Sequence, residues 1–423
     1  MKTLAILSSL CATAAFAAMP QLDKSSVTVR QDGGKSVIIE YKLNPSVSGD
    51  NEPAIVTVDI LTNAVGDAAA SVGGEHLQTL SGDVNKVVTH TAYYKHKIIW
   101  NPAKEGLPEI KLPASQVTAR LTVWATNAPP DYWVIDLNSP SDRTADRYYP
   151  NAGQIPGTVT NRLYKTDRLV MRRIPAKGVT WRQGNTSSAG NNIYRYVSFS
   201  QDYYMAVFEL TKKQYSYFET LSVATSDECI PMNNKLTWFR GNVDASGAVE
   251  WPLHGRDKVA NWMSGVRKKL ALNVDLPTSA EWEFACRAGS STKYCNGDTE
   301  ADLDKVGWYK VNSGGVLHDV GTKEPNEWGL YDMHGNIFEW TLTRFATRSS
   351  SPVWDPKGPA ESEVSTTDKS AIPYAWSAKV WCVMGGRANG SDYNTAGSCT
   401  SCSLRDLTSD TNGPGCRLIL PMD

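Results

Sequence analysis

The chain has 423 residues, a length that allows two or three domains. Its 43 Lys and Arg residues nearly balance its 44 Asp and Glu residues, which excludes charge-driven binding to nucleic acid or to a membrane surface. After residue 17, no stretch approaches the roughly 20 apolar residues of a membrane-spanning helix.

Residues 1–17 have the pattern of a secretory signal peptide. Lys2 supplies the basic start, residues 4–15 form a short apolar core, and Ala15-Phe16-Ala17 fits a small-x-small cleavage site. We therefore expect cleavage near Ala17 and a secreted or periplasmic mature protein.

Residues 18–137 are predicted to form an all-β domain. Runs rich in β-branched and aromatic residues occur at 36–43, 54–61, 86–90, 97–100, 117–124 and 132–137. Val56, Val58 and Ile60 alternate with polar residues, which is typical of a half-buried strand. The pattern predicts a sandwich of about seven antiparallel strands, immunoglobulin- or fibronectin-like. It contains no visible catalytic cluster, so we interpret it as a spacer or docking module.

Residues 138–165 are predicted to be a linker, because Pro, Gly and polar residues dominate them. Residues 166–423 carry 11 of the 14 tryptophans and long stretches without helical or strand period. Three helices are predicted there. Capping-box pairs indicate helix starts at Thr211 with Gln214 and at Thr278 with Glu281, and a third helix is expected at 257–270.

The segment 329–340 combines two carboxylates, Asp332 and Glu339, with a Gly-Asn turn between them. Carboxylates and exposed turn carbonyls are the oxygen ligands that calcium prefers, so the segment is a candidate calcium site. The alternative is that both carboxylates cap backbone amides around the turn. His334 is predicted to be a surface residue of this turn.

Seven cysteines follow residue 17, all in the C-terminal half. An exported protein meets oxidising conditions that permit disulfides, and an odd count leaves at least one thiol free or paired with another chain. Cys399 and Cys402 are separated by only two residues. They are open to four interpretations: a disulfide with each other or with Cys382 or Cys416, a metal-binding pair, half of a zinc site, or a reactive thiol.

Six segments, in order, resemble the sulfatase-modifying-factor family, the family of formylglycine-generating enzymes. They are 170–184, 204–218, 276–283, 325–340, Gly385-Gly386, and Arg405 with 415–418. The resemblance implies an α+β, loop-rich, C-type-lectin-like fold for residues 166–423. It also assigns the calcium ligands to Asp332, the carbonyls of Gly335 and Ile337, and Glu339.

The activity implied by the resemblance is copper(I)-dependent oxidation of a client sulfatase cysteine to formylglycine. Cys402, in Cys-x-x-Arg, matches the second copper ligand of the family. The first ligand would fall on Gly397, so Cys399 is the candidate partner, and soft thiolates suit copper(I). Phe338 and Arg387-Ala388 stand where the family has tryptophan.

A second function class follows from the same fold. The segment 385–398 is rich in small polar residues and asparagine, which suit an adaptable binding face. The alternative to an enzyme is therefore a non-catalytic binding module for a peptide, a glycan or a cell-surface ligand.

Overall fold

A computed structural model describes residues 20–32, 36–44, 53–62, 70–89, 94–105, 117–184, 194–234, 239, 262–344, 350–356, 381–388, 403–405 and 413–422. The chain divides into two compact units, residues 1–129 and residues 130–423. Among the helices of the described residues, none is both long and apolar enough to cross a membrane. The predicted signal peptide lies outside the described residues.

The first unit contains two antiparallel four-stranded sheets. In the first sheet the order is β1 (Gln21–Asp32), β2 (Ser36–Asn44), β7 (His96–Trp100) and β5 (Ser81–Gly82). In the second, β3 (Pro53–Thr62) pairs on one edge with β4 (Ala70–Ser71) and β6 (Lys86–Thr89), and on the other with β8 (Val117–Ala125).

Alternating side chains build the core of this unit. Val56, Val58 and Ile60 of β3 are buried together with Ile39 of β2 and Trp100 of β7, so side chains from both sheets form one cluster. The predicted strands from 36 to 125 lie within one or two residues of the observed ones. Strand β1 was not predicted, because its mostly polar, solvent-exposed sequence gives a weak hydrophobic signal. The immunoglobulin or fibronectin likeness stays a prediction.

The second unit is built around a five-stranded antiparallel sheet. Its order is β10 (Arg147–Tyr149), β9 (Tyr132–Asp136), β11 (Arg168–Ile174), β14 (Tyr203–Ala206) and β21 (Ile419–Pro421). Three smaller sheets accompany it. They are β12 (Thr180–Gln183), β13 (Arg195–Ser198) and β18 (Val353–Trp354); β15 (Gly307–Trp308) and β16 (His334–Gly335); and β17 (Glu339–Arg344), β19 (Trp381–Met384) and β20 (Ser403–Arg405).

Strand β9 corrects the predicted domain boundary. It was assigned to the N-terminal domain that ends at 137, but it pairs with β10 and β11 of the second unit. Its first four residues are all buried, as expected of a central strand covered on both faces rather than a half-exposed sandwich strand. The predicted linker 138–165 is also structured, because it contains β10 and contributes Tyr149 and Ile155 to a buried cluster.

Five helices of the second unit are described: α1 (Leu163–Thr166), α2 (Lys212–Ser216), α3 (Trp262–Leu270), α4 (Ser279–Arg287) and α5 (Glu300–Val306). Both predicted capping boxes are confirmed, at Thr211 before α2 and at Thr278 before α4. A third box, Thr299 with Asp302, begins α5 and was not predicted. The predicted helix 257–270 is present over its described part, 262–270.

Candidate functional site

The Gly-Asn turn adopts a backbone that few residues tolerate. Asp332, Gly335 and Asn336 have φ angles of 57°, 89° and 53°, in the left-handed region. A Cβ atom on Gly335 would lie 2.0 Å from the backbone oxygen of Trp308, so only glycine fits beside this neighbouring strand. Asparagine tolerates the left-handed region better than most residues do. The turn is therefore specified by its own residue types, as the sequence indicated.

Asn336 fastens the turn to two neighbours. Its Nδ2 donates to Glu209 Oε2 at 2.7 Å and to the His318 carbonyl at 3.1 Å, while its Oδ1 accepts the His318 amide at 3.0 Å. The Glu209 Oε1 accepts the Ile337 amide at 3.2 Å. Glu209, which lies between β14 and α2, is therefore the carboxylate that caps the turn.

Glu339 is held by a buried arginine. Arg417 Nη2 lies 2.8 Å from Glu339 Oε1, and both side chains are fully buried. The indole Nε1 of Trp282 on α4 donates to Glu339 Oε2 at 2.7 Å. Both carboxylate oxygens are thus engaged by donors within the protein.

Arg417 also joins three segments that are distant in sequence. Its Nη1 donates to the carbonyls of Ala206 and Val207 at 2.9 and 2.8 Å, and its Nη2 donates to the Tyr331 carbonyl at 2.8 Å. Arginine presents its donors in a rigid planar fork, which suits one side chain bonding several fixed acceptors. We call Arg417, Glu339, Glu209 and Asp332 the buried charge network.

Asp332 is the least satisfied member of this network. Its Oδ2 accepts the Gly321 amide at 2.6 Å, whereas its buried Oδ1 has no hydrogen-bond partner among the described residues. Burial raises the pKa of Asp332 to about 6, against the opposing effect of the Gly321 amide and of Arg417. Burial, reinforced by Asp332 and Glu339, also raises the pKa of Glu209 well above its ordinary value. Three carboxyl groups thus share one arginine.

These contacts bear on the predicted calcium ligands. Asp332 retains one open oxygen, but Glu339 is engaged by Arg417 and Trp282, so these side chains as arranged do not fit calcium without rearrangement. Within the part of the chain that the structure describes, no group of three or more His, Cys, Asp or Glu side chains could hold a metal ion. Calcium at Asp332, Gly335, Ile337 and Glu339 therefore stays a prediction.

The expectation that His334 lies on the surface is wrong. Only 1% of its surface is exposed, because β16 pairs with β15 in the interior. Its Nε2 accepts the Cys295 amide at 3.1 Å and lies 3.6 Å from the Cys286 Sγ. Burial raises the pKa of both thiols, which keeps them protonated and poorly nucleophilic. No disulfide joins any two of Cys229, Cys286, Cys295 and Cys416.

Cys399 and Cys402 lie outside the described residues, as does most of segment 385–398. The backbone of Ser403 pairs with Val383 of β19, whose neighbour Met384 pairs with Glu339 of β17. Strand β20, which begins directly after Cys402, is therefore separated from β17, which begins at Glu339, by the single strand β19.

Phe338 and Arg387, two residues that depart from the family pattern, lie close together in the structure. The guanidinium carbon of Arg387 lies 6.0 Å from the ring centre of Phe338, at the outer limit of a cation–π contact. Phe338 is itself packed in the main core of the second unit. The two changed positions thus lie close together, next to Glu339 of the charge network.

Sequence reasoning missed the roles of Glu209, Trp282 and Arg417. Each lies within a segment that carries the family resemblance, yet nothing local indicated what it would contact. One local signal was available: Glu209 stands among apolar residues in Val207-Phe-Glu-Leu210, which indicates that it is buried. A buried charged side chain almost always has a partner, so this pattern predicts a partner without identifying it.

A family model described as the sulfatase-modifying factor enzyme 1-like domain matches residues 173–387, about half of the chain. A formylglycine-generating enzyme from Mycobacterium tuberculosis is 40% identical over 81 residues, which are 16% of this chain and 27% of that protein. A chaperone protein LppX from Paenibacillus barcinonensis is 33% identical over 82 residues, 15% of this chain and 29% of that protein.

Both matches span less than a third of the relatives' own length. Among solved structures, Treponema denticola variable protein 1 aligns over 60% of this chain and 95% of its own, with 24% identity and a TM-score of 0.42.

Proposed function

Because the chain belongs to the sulfatase-modifying-factor family, we propose that it modifies an exported client polypeptide, oxidising a client cysteine to formylglycine. The observation that carries the proposal is the match over 173–387, followed by Cys402-x-x-Arg405 at the position of the family's second thiolate. In this proposal the client is a sulfatase, and it lies extended between the Glu339 turn and the segment of Cys402. The C-type-lectin-like name of the fold and the signal peptide belong to the same proposal.

In the proposed reaction the client C–S bond breaks, the carbon loses two electrons and becomes an aldehyde, and the sulfur leaves as hydrogen sulfide. Dioxygen accepts these two electrons and two more from a thiol reductant, which becomes a disulfide. In the net balance one oxygen atom is accounted for by the aldehyde and the other by water. Copper(I), held by Cys399 and Cys402, would supply the activation of dioxygen, since paired thiolates are the soft donors it prefers.

The role of the described residues is to hold the client-binding surface in place. The buried charge network fixes the start of β17 against β14, α4 and the segment before β21. A surface supported in this way costs little ordering free energy when a flexible peptide binds.

The test is oxidation of a cysteine-containing sulfatase peptide by the full mature chain with copper(I), dioxygen and a thiol reductant. We expect mass spectrometry to detect the aldehyde. Cys402→Ser should lower its rate of formation by at least ~10²-fold, since even loss of a hydrogen-bond partner of a metal ligand costs about 10–100-fold. Cys229→Ser is the matched control, because Cys229 is buried beside Arg162 and has no place in the proposed site. Equal rates for the wild type and Cys402→Ser, or no aldehyde from either, would contradict the oxidase.

A non-catalytic binding module is the second candidate. Gly397 in the first thiolate position favours it, as does the Arg387–Phe338 contact in place of two tryptophans. In the same assay, peptide binding without aldehyde, unchanged in Cys402→Ser, would support this function.

Calcium is the second metal that we propose, at Asp332 with Gly335, Ile337 and Glu339. The open Asp332 Oδ1 supports it, and Glu339 would have to exchange Arg417 for the ion. We expect saturating calcium, at about 100 times Kd, to stabilise the wild type by about 2.7 kcal/mol. Asp332→Asn should abolish this response in thermal denaturation, with magnesium as the control ion. An equal response in both proteins would place any calcium elsewhere.

A further inference from the structure

A cavity lies on another face of helix α4, away from the charge network. Its volume is about 490 Å³, within the range of small-ligand pockets. Trp282 faces Glu339, whereas Phe284, two residues further along the same helix, lines the cavity. Because successive helical residues are rotated by about 100°, these two side chains point in nearly opposite directions.

Cationic side chains line the cavity. Arg182, Arg287 and Lys293 contribute to its wall, and among the described residues no carboxylate does. Arg287 is neutralised by Glu283, with Nη2 and Oε1 2.8 Å apart. Within the described ranges Arg182 and Lys293 form no ion pair, so they leave a local positive charge although the whole chain is nearly neutral.

Aromatic rings provide the apolar part of the wall. Trp181 and Phe284 lie with ring centres 5.3 Å apart, and the guanidinium carbon of Arg182 lies 4.2 Å from the ring centre of Tyr194. This contact positions the Arg182 cation at the cavity. Flat rings beside cations suit a ligand that has both an apolar face and a negative charge.

A loop that carries hydroxyl groups also lines the cavity, through Ser290, Ser291 and Thr292. Arg287 donates to the Thr292 carbonyl at 3.1 Å and to the Gly184 carbonyl at 3.3 Å, which ties loop 290–293 to the end of β12. The Thr292 hydroxyl donates to the Tyr294 carbonyl at 2.6 Å. These hydrogen bonds hold the loop to its neighbours, and Ser291 is exposed on it.

The wall continues onto an exposed sheet face. Arg182 pairs with Tyr196, and Ser198 pairs with Trp354, so Arg182, Tyr196 and Trp354 lie on one face of the β12–β13–β18 sheet. Tyr196 is 56% exposed and Trp354 is 70% exposed. Exposed aromatic side chains grouped on the same sheet face as a cavity-lining residue, here Arg182, are typical of a binding surface.

From this juxtaposition we propose that the cavity and the adjoining sheet face bind an acidic oligosaccharide, with one ring in the cavity and further rings across Tyr196 and Trp354. The C–H faces of sugars pack on aromatic rings, their hydroxyls bond with serine and threonine, and their carboxylate or sulfate groups pair with Arg182 and Lys293. A nucleic acid is less favoured, since a strand needs a longer basic track than two unpaired cations provide. None of the described residues that line the cavity belongs to the site proposed for the client cysteine.

The test is isothermal titration calorimetry of the full chain with a chondroitin sulfate hexasaccharide, with cellohexaose as the neutral probe and an oligothymidylate as the nucleic acid probe. We expect the charged saccharide to bind and the other two to bind at least ~10-fold more weakly, a difference that one or two charge-assisted contacts supply. Added salt should weaken binding.

Arg182→Ala, Lys293→Ala and Trp354→Ala should each weaken binding by about tenfold, because each removes one charged or stacking contact. All three side chains are solvent-exposed, so the variants should keep the wild-type melting temperature. Lys213→Ala is the matched control. The Lys213 ammonium lies 5.7 Å from the ring centre of Tyr217, much as the Lys293 ammonium lies 5.0 Å from the ring centre of Tyr294. Lys213 does not line the cavity, so its replacement should leave binding unchanged.

Three results would overturn the proposal. They are no binding of the hexasaccharide, equal binding by the wild type and all three variants, and binding of oligothymidylate as tight as that of the saccharide.

Discussion

Replacing Arg417 with methionine is expected to lower the free energy of unfolding of the second unit by about 3–5 kcal/mol, because removing one partner of a buried ion pair typically costs this much. The loss follows from what remains: Glu339 would be buried without its cation, and the carbonyls of Ala206, Val207 and Tyr331 would each lose one donor. Methionine is unbranched and fills part of the space, so the missing charge rather than a large cavity should dominate.

Chemical denaturation monitored by tryptophan fluorescence measures this change. Arg168→Met is the matched control, because Arg168 pairs with Asp136 at 2.6 Å near the surface, where a salt bridge contributes about 0–1 kcal/mol. Adding Glu339→Leu to Arg417→Met should recover part of the lost stability, since the uncompensated charge is then removed. Equal destabilisation by Arg417→Met and Arg168→Met would show that the network does not stabilise this unit.

Replacing Asn336 with alanine is expected to cost about 3–5 kcal/mol as well, because buried groups left without partners cost about 1–3 kcal/mol each. The change removes two donated hydrogen bonds and one accepted bond, and it leaves Glu209 Oε2 without its side-chain donor, while Oε1 keeps the Ile337 amide. Alanine also has to adopt the φ of 53°, which disfavours residues with a Cβ atom.

Asn336→Gly separates these two causes. Glycine loses the same hydrogen bonds but adopts the left-handed region freely, so it should be more stable than the alanine variant by about 1 kcal/mol. Both free energies of unfolding come from the same denaturation experiment. An alanine variant as stable as the wild type would mean that the hydrogen bonds of Asn336 do not hold the turn.

Short-range features were predictable from the sequence. The capping boxes at Thr211 and Thr278 depend on residues three positions apart, so neighbouring residues suffice to determine where α2 and α4 begin. The alternation in β3 and the Gly335-Asn336 turn are local in the same sense. The family resemblance likewise rests on short segments in a fixed order.

Long-range partners were not predictable. Arg417 bonds to Ala206, 211 positions earlier in the chain, and Glu209 caps a turn 128 positions away. No local pattern indicates which buried charge meets which, because pairing depends on how β14, β17 and the segment before β21 pack. Burial of His334 has the same origin, since it follows from the pairing of β16 with β15.

The sequence by itself determined the family, five of the eight strands described in the first unit, the starts of α2 and α4 and the position of the turn, since each depends on nearby residues or on their order. Only the tertiary structure decided that strand 132–136 belongs to the second unit, that Glu339 faces Arg417, and that Arg182 and Trp354 share one face. Burying a charge requires a partner, and the partner's identity is set by chain packing rather than by spacing along the sequence.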